Sequence, residues 1–378
     1  MAEHTHYDSV SQVGCHALAR EISSRGHLVT YFSSYLTPFH LSQFFTPQRN
    51  ELFKRARNWL EGGRKWNEGL FTYVPFTLLP YTRKPLLDRV WVAKKQVDWS
   101  FPNLLSRLRA RGPFDAFFVG DPRFVPLVGR VEARSTIFRI TDDVMGFSGT
   151  PRSLEGFLKT AAIKCDRAVA TSAPLREKLL REFGFREVLY MPNGVEYDHF
   201  AGKTHKEPED LKIIPRPRAL YVGVLRDWFD LDCLTFCASR LSDVSFVVIG
   251  PSELDLRSLS RFPNVYYLGP RPYNDVPDYM AFSQVGIIPF KREERTDSVS
   301  SIKLLQYLAA GLPSVCTLWK ELELLKAPVR LALDKMEFAN LIRDALREEP
   351  DREKLRSFAH SHTWKENADV LLRMAAPG

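Results

Sequence analysis

No stretch of this sequence is apolar for long enough to span a membrane. The longest candidate, residues 71–81, is broken by Pro75 and Pro80, whereas a spanning helix takes roughly 20 mostly apolar residues. No secretory leader opens the chain either, because residues 1–7, MAEHTHY, are polar and histidine-rich. Cysteine is scarce. The five present are an odd number without metal-like spacing, which argues against a disulfide framework and for a reducing compartment. Cys233 and Cys237, one helical turn apart among apolar residues, read as buried structural thiols. No cluster of acidic metal ligands is visible, and no nucleic-acid motif accompanies the basic charge. Neither a metal nor a nucleic acid is expected.

What is present is an alternation of apolar strands and helical stretches, repeated in two halves of a 378-residue chain. In the first half the strands are LVTYFS (28–33), DAFFVG (115–120), STIFRIT (135–141), RAVATS (167–172) and EVLYM (187–191). In the second they are ALYVGVL (219–225), VSFVVIG (244–250), NVYYLG (264–269), VGIIPF (285–290) and PSVCT (313–317). Such alternation implies parallel sheets with helices on both faces. Residues 201–217, polar and proline-containing without periodicity, read as a linker between domains at 1–200 and 218–360. The two α/β domains are expected to face each other across a cleft. After a polar break at 360–363, an amphipathic helix within 361–378 is able to cross back onto the first domain.

Charge is unevenly spread. Residues 51–111 carry thirteen Lys and Arg against five Asp and Glu, an excess of +8 equal to that of the whole chain, together with four of its seven tryptophans, Trp59, Trp66, Trp91 and Trp99. Indole interleaved with cations suits an anionic lipid surface, and equally a solvated basic face around a few core tryptophans.

The segment 298–317, SVSSIKLLQYLAAGLPSVCT, has the makings of an anion site. Ser298, Ser300 and Ser301 can each cap a helix whose first N–H groups and positive dipole end then hold a phosphate. Lys303 adds a cation one turn in, and Gln306, on the same face, offers a donor and an acceptor to a sugar hydroxyl. Gly311 and Pro313 stop the helix, and a strand follows, so the segment completes a βαβ unit with its site at the carboxyl edge of a parallel sheet. Other candidates also lie at strand ends. Asp142 and Asp143 follow STIFRIT and point toward such a crevice, where one carboxylate can serve as a general base; capping of the next helix is the plainer role. Gly223 and Gly250 end strands of the second domain, allowing close approach. Arg271 is placed for a nucleobase or phosphate, or is a surface arginine. His16 opens a helix at 15–21, structural or near the cleft. Pro192-Asn193-Gly194 is a turn signal, and Glu196 beyond it faces cleft or hinge.

Taken together, HALAREISSRGH, YVGVLRDWFD, NVYYLGPRPYNDVPDYM and SVSSIKLLQYLAAGLPSV resemble glycosyltransferases of the two-Rossmann-domain architecture called GT-B. The likeness is greatest to the membrane-associated glucuronosyltransferase of xanthan assembly and related exopolysaccharide enzymes, and it covers nearly the whole chain. It implies donor contacts from Ser300, Ser301, Lys303 and Gln306, with Gly223, Leu225, Arg271 and Phe290 near the nucleotide, although the relative has other residues at the last two. Asp142 matches the proposed catalytic base of an R-x-S-D motif, and His16 falls where the relative has a histidine. GT-B enzymes begin with an apolar strand, which MAEHTHY is not expected to supply; either the first sheet lacks it or the start lies too late. Retaining members of the fold carry a spaced pair of glutamates, and those positions here are Ser298 and Gln306, which favours inversion.

The resemblance thus implies a metal-independent, inverting transferase of the exopolysaccharide or cell-surface glycan type, without cofactor. Its donor would be a UDP-sugar and its acceptor a lipid-linked saccharide, on the inner, cytoplasmic face of a bacterial membrane that the 51–111 segment touches. A retaining transferase or sugar-nucleotide epimerase on the same fold, and a non-catalytic member of a polysaccharide-assembly complex, remain as alternatives.

Overall fold

β-Branched and aromatic residues with both faces covered assemble into two largely parallel sheets, one in each of two units. The structure, a computed structural model, describes residues 1–9, 13–46, 49–147, 149–202 and 204–376. The first unit comprises Met1–Pro192 with Trp364–Gly378, the second Asn193–Thr363.

In the first unit the strands are β1 (Ala2–Glu3), β2 (Val29–Ser33), β3 (Arg64–Lys65), β4 (Leu70–Tyr73), β7 (Phe114–Val119), β8 (Ala133–Ile140), β9 (Arg167–Ala170) and β10 (Leu189–Tyr190), with a separate pair formed by β5 (Phe76–Thr77) and β6 (Ser100–Phe101). The sheet order is β10-β9-β8-β7-β1-β2-β4-β3, parallel except for β3 against β4. A first strand is therefore present, contrary to the expectation from MAEHTHY. Two residues suffice because β1 is central: Ala2 pairs with Phe32 on one side and Val119 on the other, so backbone hydrogen bonds rather than a long apolar stretch hold it. The Glu3 side chain is buried. Burial pushes its carboxyl up to about 7, against the pull of the Arg139 guanidinium, and Gly120 makes room, since a Cβ there would stand 2.1 Å from Glu3 Oε2. Met1 joins the pairing with β2, its amino group donating to Thr30 O at 2.7 Å and its carbonyl accepting from Phe32 N at 2.9 Å, and beside it a cavity of about 1120 Å³ is lined from β2 and β7 by Val29, Thr30, Phe114 and Phe117.

Helix Gly14–Ser24 covers this sheet with its buried face and receives the last helix, Trp364–Ala375. Gly14 permits that approach: a Cβ would meet the Trp364 indole at 2.3 Å.

The second sheet is parallel throughout, in the order β13 (Val265–Gly269), β12 (Ser245–Ile249), β11 (Arg218–Val222), β14 (Val285–Ile288), β15 (Ser314–Thr317), β16 (Arg330–Ala332). Every residue of β12, β14 and β15 is buried, as continuous apolar strands covered on both faces must be. The chain divides between Pro192 and Asn193, ahead of the segment read as a linker. Residues 201–217 belong instead to the second unit: Leu211 and Ile214 lie in its core, a pair of anchors that the polar composition around them conceals.

Candidate functional site

The anion-site segment folds as a βαβ unit, β14, helix Ile302–Ala309 and β15, with Gly311 at φ +71° after the helix end. Its three serines have different tasks. Only Ser301 caps the helix, its Oγ accepting from Leu304 N at 3.3 Å. Ser300 lies one residue too early; its Oγ accepts from Asn193 N at 2.9 Å, while Asn193 Nδ2 donates to Ser300 O at 2.9 Å. Ser298 ends the preceding short helix, Glu294–Asp297. The expectation of three equivalent caps is corrected because the helix begins at Ile302. The role of Asn193 was missed, although the Pro192-Asn193-Gly194 turn marked its position.

Lys303 leaves the first turn and runs over Gly223. Gly223 has φ +155°, a backbone that favours glycine, and a Cβ there would sit 1.9 Å from Lys303 Cε and displace that side chain. Gly250, at φ +138°, is required in turn because a Cβ on it would fall 2.0 Å from Gly223 O. The Lys303 ammonium lies 5.8 Å from the Phe290 ring centroid and makes no ion pair among the described residues. Desolvation lowers it to about 8. A cation removed from water and left without a protein carboxylate, beside a helix N-terminus, is arranged to receive an anion.

Phe290 itself is buried and stacks on Trp319 at 5.6 Å between centroids. Trp319 Nε1 donates to Val299 O at 2.9 Å, tying the end of β15 to the chain entering the helix. Gln306 is half-buried on the Lys303 face, and its amide has no hydrogen bond among the described residues. Two expected donor contacts, Arg271 and Leu225, have protein partners of their own. Arg271 spends its guanidinium on Asp210 Oδ2 (2.6 and 3.1 Å), Tyr279 Oη (3.0 Å) and the carbonyls of Leu268 (2.5 Å) and Pro270 (3.0 Å), fastening the 201–217 segment to the sheet edge. Leu225 is fully buried, its N–H donating to Pro251 O and its carbonyl accepting from Glu253 N, each at 2.9 Å. Glu196 accepts from Tyr273 Oη at 2.6 Å.

In the first unit, Asp142 and Asp143 follow β8 at the carboxyl edge and are unlike each other. Asp143 is buried and ion-paired with Lys178 Nζ at 2.7 Å. Asp142 is half-buried; its Oδ2 accepts from Thr141 Oγ1 at 2.9 Å, and Oδ1 has no hydrogen bond among the described residues. Of the pair, Asp143 is the one committed to an ion pair. Burial lowers the His4 imidazole, which follows β1, against the pull of the Asp121 and Asp142 carboxylates, a neighbour missed because no strand was expected there. His16 is fully buried in helix Gly14–Ser24, its Nδ1 accepting from Val13 N at 3.3 Å and its ring set edgewise to Tyr7. Burial lowers it to about 3, and its Nε2 is buried with no hydrogen bond among the described residues. No group of three His, Cys, Asp or Glu placed to hold a metal ion occurs among the described residues.

Residues 216–348 match the family described as Glycosyl transferases group 1. This segment is similar to glycosyl transferase domains. A curated relative, described as "Putative teichuronic acid biosynthesis glycosyltransferase TuaH" of Bacillus subtilis (strain 168), is 30% identical over 141 residues, 35% of each chain, so the match spans about a third of that relative's length. Among solved structures, sucrose-phosphate synthase of Thermosynechococcus elongatus superposes with a TM-score of 0.67 at 12% identity, over 99% of this chain and 96% of that one. Anabaena Alr3699/HepE in complex with UDP and glucose gives 0.63 at 12% identity, over 98% of each. The fold is GT-B, two Rossmann-like parallel sheets.

Outside residues 216–348, the basic segment 51–111 divides into inward and outward parts. Arg55 is turned inward and donates to the carbonyls of Ser34 and Tyr35, both at 3.0 Å. Trp59 stacks on Phe76 at 4.6 Å and Trp66 donates to Thr72 Oγ1 at 2.9 Å, which makes them packing residues. Trp91 and Trp99 are exposed, as are Arg83, Lys84, Arg89, Lys94, Lys95, Arg109 and Arg111. No helix among the described residues is long and apolar enough to cross a membrane.

Proposed function

We propose that this chain transfers a sugar from a UDP-type donor, bound by the second unit, to a lipid-linked saccharide in the synthesis of an exopolysaccharide or cell-surface glycan. The observation that carries the reading is Lys303, a desolvated ammonium with no ion pair among the described residues, running over Gly223 beside a helix N-terminus. A leaving diphosphate supplies the missing charge. Stabilising it there favours departure as negative charge develops, and a helix end with a lysine does so without requiring a divalent ion. Asp142 then takes the proton of the acceptor hydroxyl as that oxygen attacks the anomeric carbon, the C–O bond to the diphosphate breaks, and the configuration inverts. Asp143 cannot replace it because its carboxylate is committed to Lys178.

A UDP donor is supported by the UDP and glucose named for the Anabaena structure, and a surface-polymer product by the teichuronic acid biosynthesis named for the Bacillus relative. The exposed basic residues of 51–111 support work at the inner face of the cell membrane, where a lipid-linked acceptor is presented. The test is incubation with labelled UDP-sugars and membrane lipid extract, followed by the anomeric configuration of the product. Transfer with inversion is expected. Retention would exclude the Asp142 mechanism, and no transfer or hydrolysis of any UDP-sugar would exclude the reading as an enzyme.

A further inference from the structure

The sequence 38–45, PFHLSQFF, forms a short 3-10 turn with no buried residue. Phe39, Leu41, Phe44 and Phe45 are all exposed, Phe45 at 89% and Leu41 at 64%, and Phe53 of the following helix Arg49–Leu60 joins them at 50%. Three of them are in contact: Phe44 meets Phe45 at 5.2 Å and Phe53 at 5.8 Å between centroids. Singly exposed apolar residues are ordinary, but a contiguous cluster of this kind on a surface calls for a partner.

The charges around it select the partner. Lys84 Nζ stands 4.9 Å over the Phe39 ring, Arg83 beside it is exposed, and Arg49 opens the helix that bears Phe53. The acidic residues of that helix region are otherwise engaged: Glu51 faces Lys54 and His6, and Glu61 pairs with Arg57 at 2.6 Å. An apolar centre with a cationic rim is poorly matched to a second copy of itself, because a two-fold contact sets like charges face to face. A bilayer with anionic headgroups offers apolar depth beneath the aromatics and phosphate beside the cations.

We propose that the 38–45 turn is a wedge that enters the hydrocarbon boundary of an anionic membrane, with Phe45 and Leu41 deepest and Lys84 at the headgroups. The proposal deepens the reading of a lipid-linked acceptor, which supplies its purpose, and adds the segment 38–45 to the basic stretch 51–111, which contributes Phe53, Arg83 and Lys84. It differs from docking by charge alone, since apolar insertion persists when salt screens the cations.

The experiment is sedimentation of the full chain with vesicles of phosphatidylcholine, with and without phosphatidylglycerol, at low and high salt and with no nucleotide present. Capture by the anionic vesicles is expected, with a salt-resistant remainder. Leu41→Ser with Phe45→Ser should lower partitioning about a hundredfold or more, as expected for two large apolar side chains that no longer leave water; Lys84→Glu should lower it about fivefold to tenfold and only at low salt. Phe45→Trp, read with lipids brominated along the acyl chain, should add a quenched tryptophan signal that wild type lacks. Equal capture of wild type and the double serine variant, or no added quenching in the bound Phe45→Trp variant, would overturn the wedge. So would a concentration-dependent dimer in ultracentrifugation that the serine variant abolishes, since the patch would then be covered by a second copy. The assay needs no sugar transfer. Capture without transfer would leave the wedge standing and remove the enzymatic reading, and transfer without capture would do the reverse.

Discussion

Replacing Lys303 by methionine should separate what this side chain costs the fold from what it gives the ligand. Desolvation holds the ammonium at about 8 instead of its ordinary 10.5, so near neutral pH the folded state carries a proton that it would more readily release. At about 1.4 kcal/mol per tenfold, this amounts to at most about 3 kcal/mol, and roughly half of that once the water still reaching the side chain is allowed for. The sign is definite. A lysine with a depressed folded pKa contributes stability above about pH 10.5 that disappears as the pH falls through about 8. Lys303→Met removes the penalty, and without ligand at neutral pH the transition of the second unit should rise by about 3 to 6 °C for a domain of this size. The same substitution should weaken UDP binding by about 1.5 to 3 kcal/mol, the range for a hydrogen bond to a charged group. In wild type, UDP affinity should fall about tenfold per pH unit above about pH 8, because the free protein surrenders the proton the diphosphate needs. Scanning calorimetry reads the first effect and titration calorimetry the other two. Unchanged UDP affinity in Lys303→Met, or affinity that stays flat from about pH 7 to about pH 9.5, would refute the argument that this cation is kept for an anion.

Three further outcomes follow from other residues. Asp142→Asn should leave UDP binding intact and lower turnover by about a hundredfold or more, the contribution of a general base; if Asp143→Asn does this and Asp142→Asn does not, the base is misassigned by one residue. Gly223→Ala should weaken UDP binding at least about tenfold by displacing Lys303 and should destabilise the second unit by about 1 to 3 kcal/mol through its left-handed backbone, read by titration calorimetry and chemical denaturation. Glu3→Gln should stabilise the first unit at alkaline pH: the raised Glu3 carboxyl, at about 7, gives stability that is full below about pH 4.5 and lost as pH rises through 7, at most about 3 kcal/mol. Denaturation of wild type and Glu3→Gln should then agree near pH 4 and diverge by about pH 8, and parallel curves would count against it.

The alternation of strands and helices was legible in the sequence because periodicity and helix stops are local: the βαβ unit around Lys303 follows from an apolar strand, an amphipathic helix and Gly311. Tertiary structure decided what each residue in those elements touches. Ser298, Ser300 and Ser301 are alike in sequence, and only the start of the helix at Ile302 made one of them the cap. Arg271 and Leu225 stand at strand ends as the pattern requires, yet Asp210, far away in the chain, claimed one and the core took the other. A two-residue first strand had too little apolar sequence to be seen, because its stability comes from the neighbours on either side. The exposure of PFHLSQFF reversed what its composition suggests, since an apolar stretch is buried only where another element lies against it. Local chemistry determines which elements form; their partners, and hence desolvation, charge compensation and room, come from residues that only the folded chain brings together.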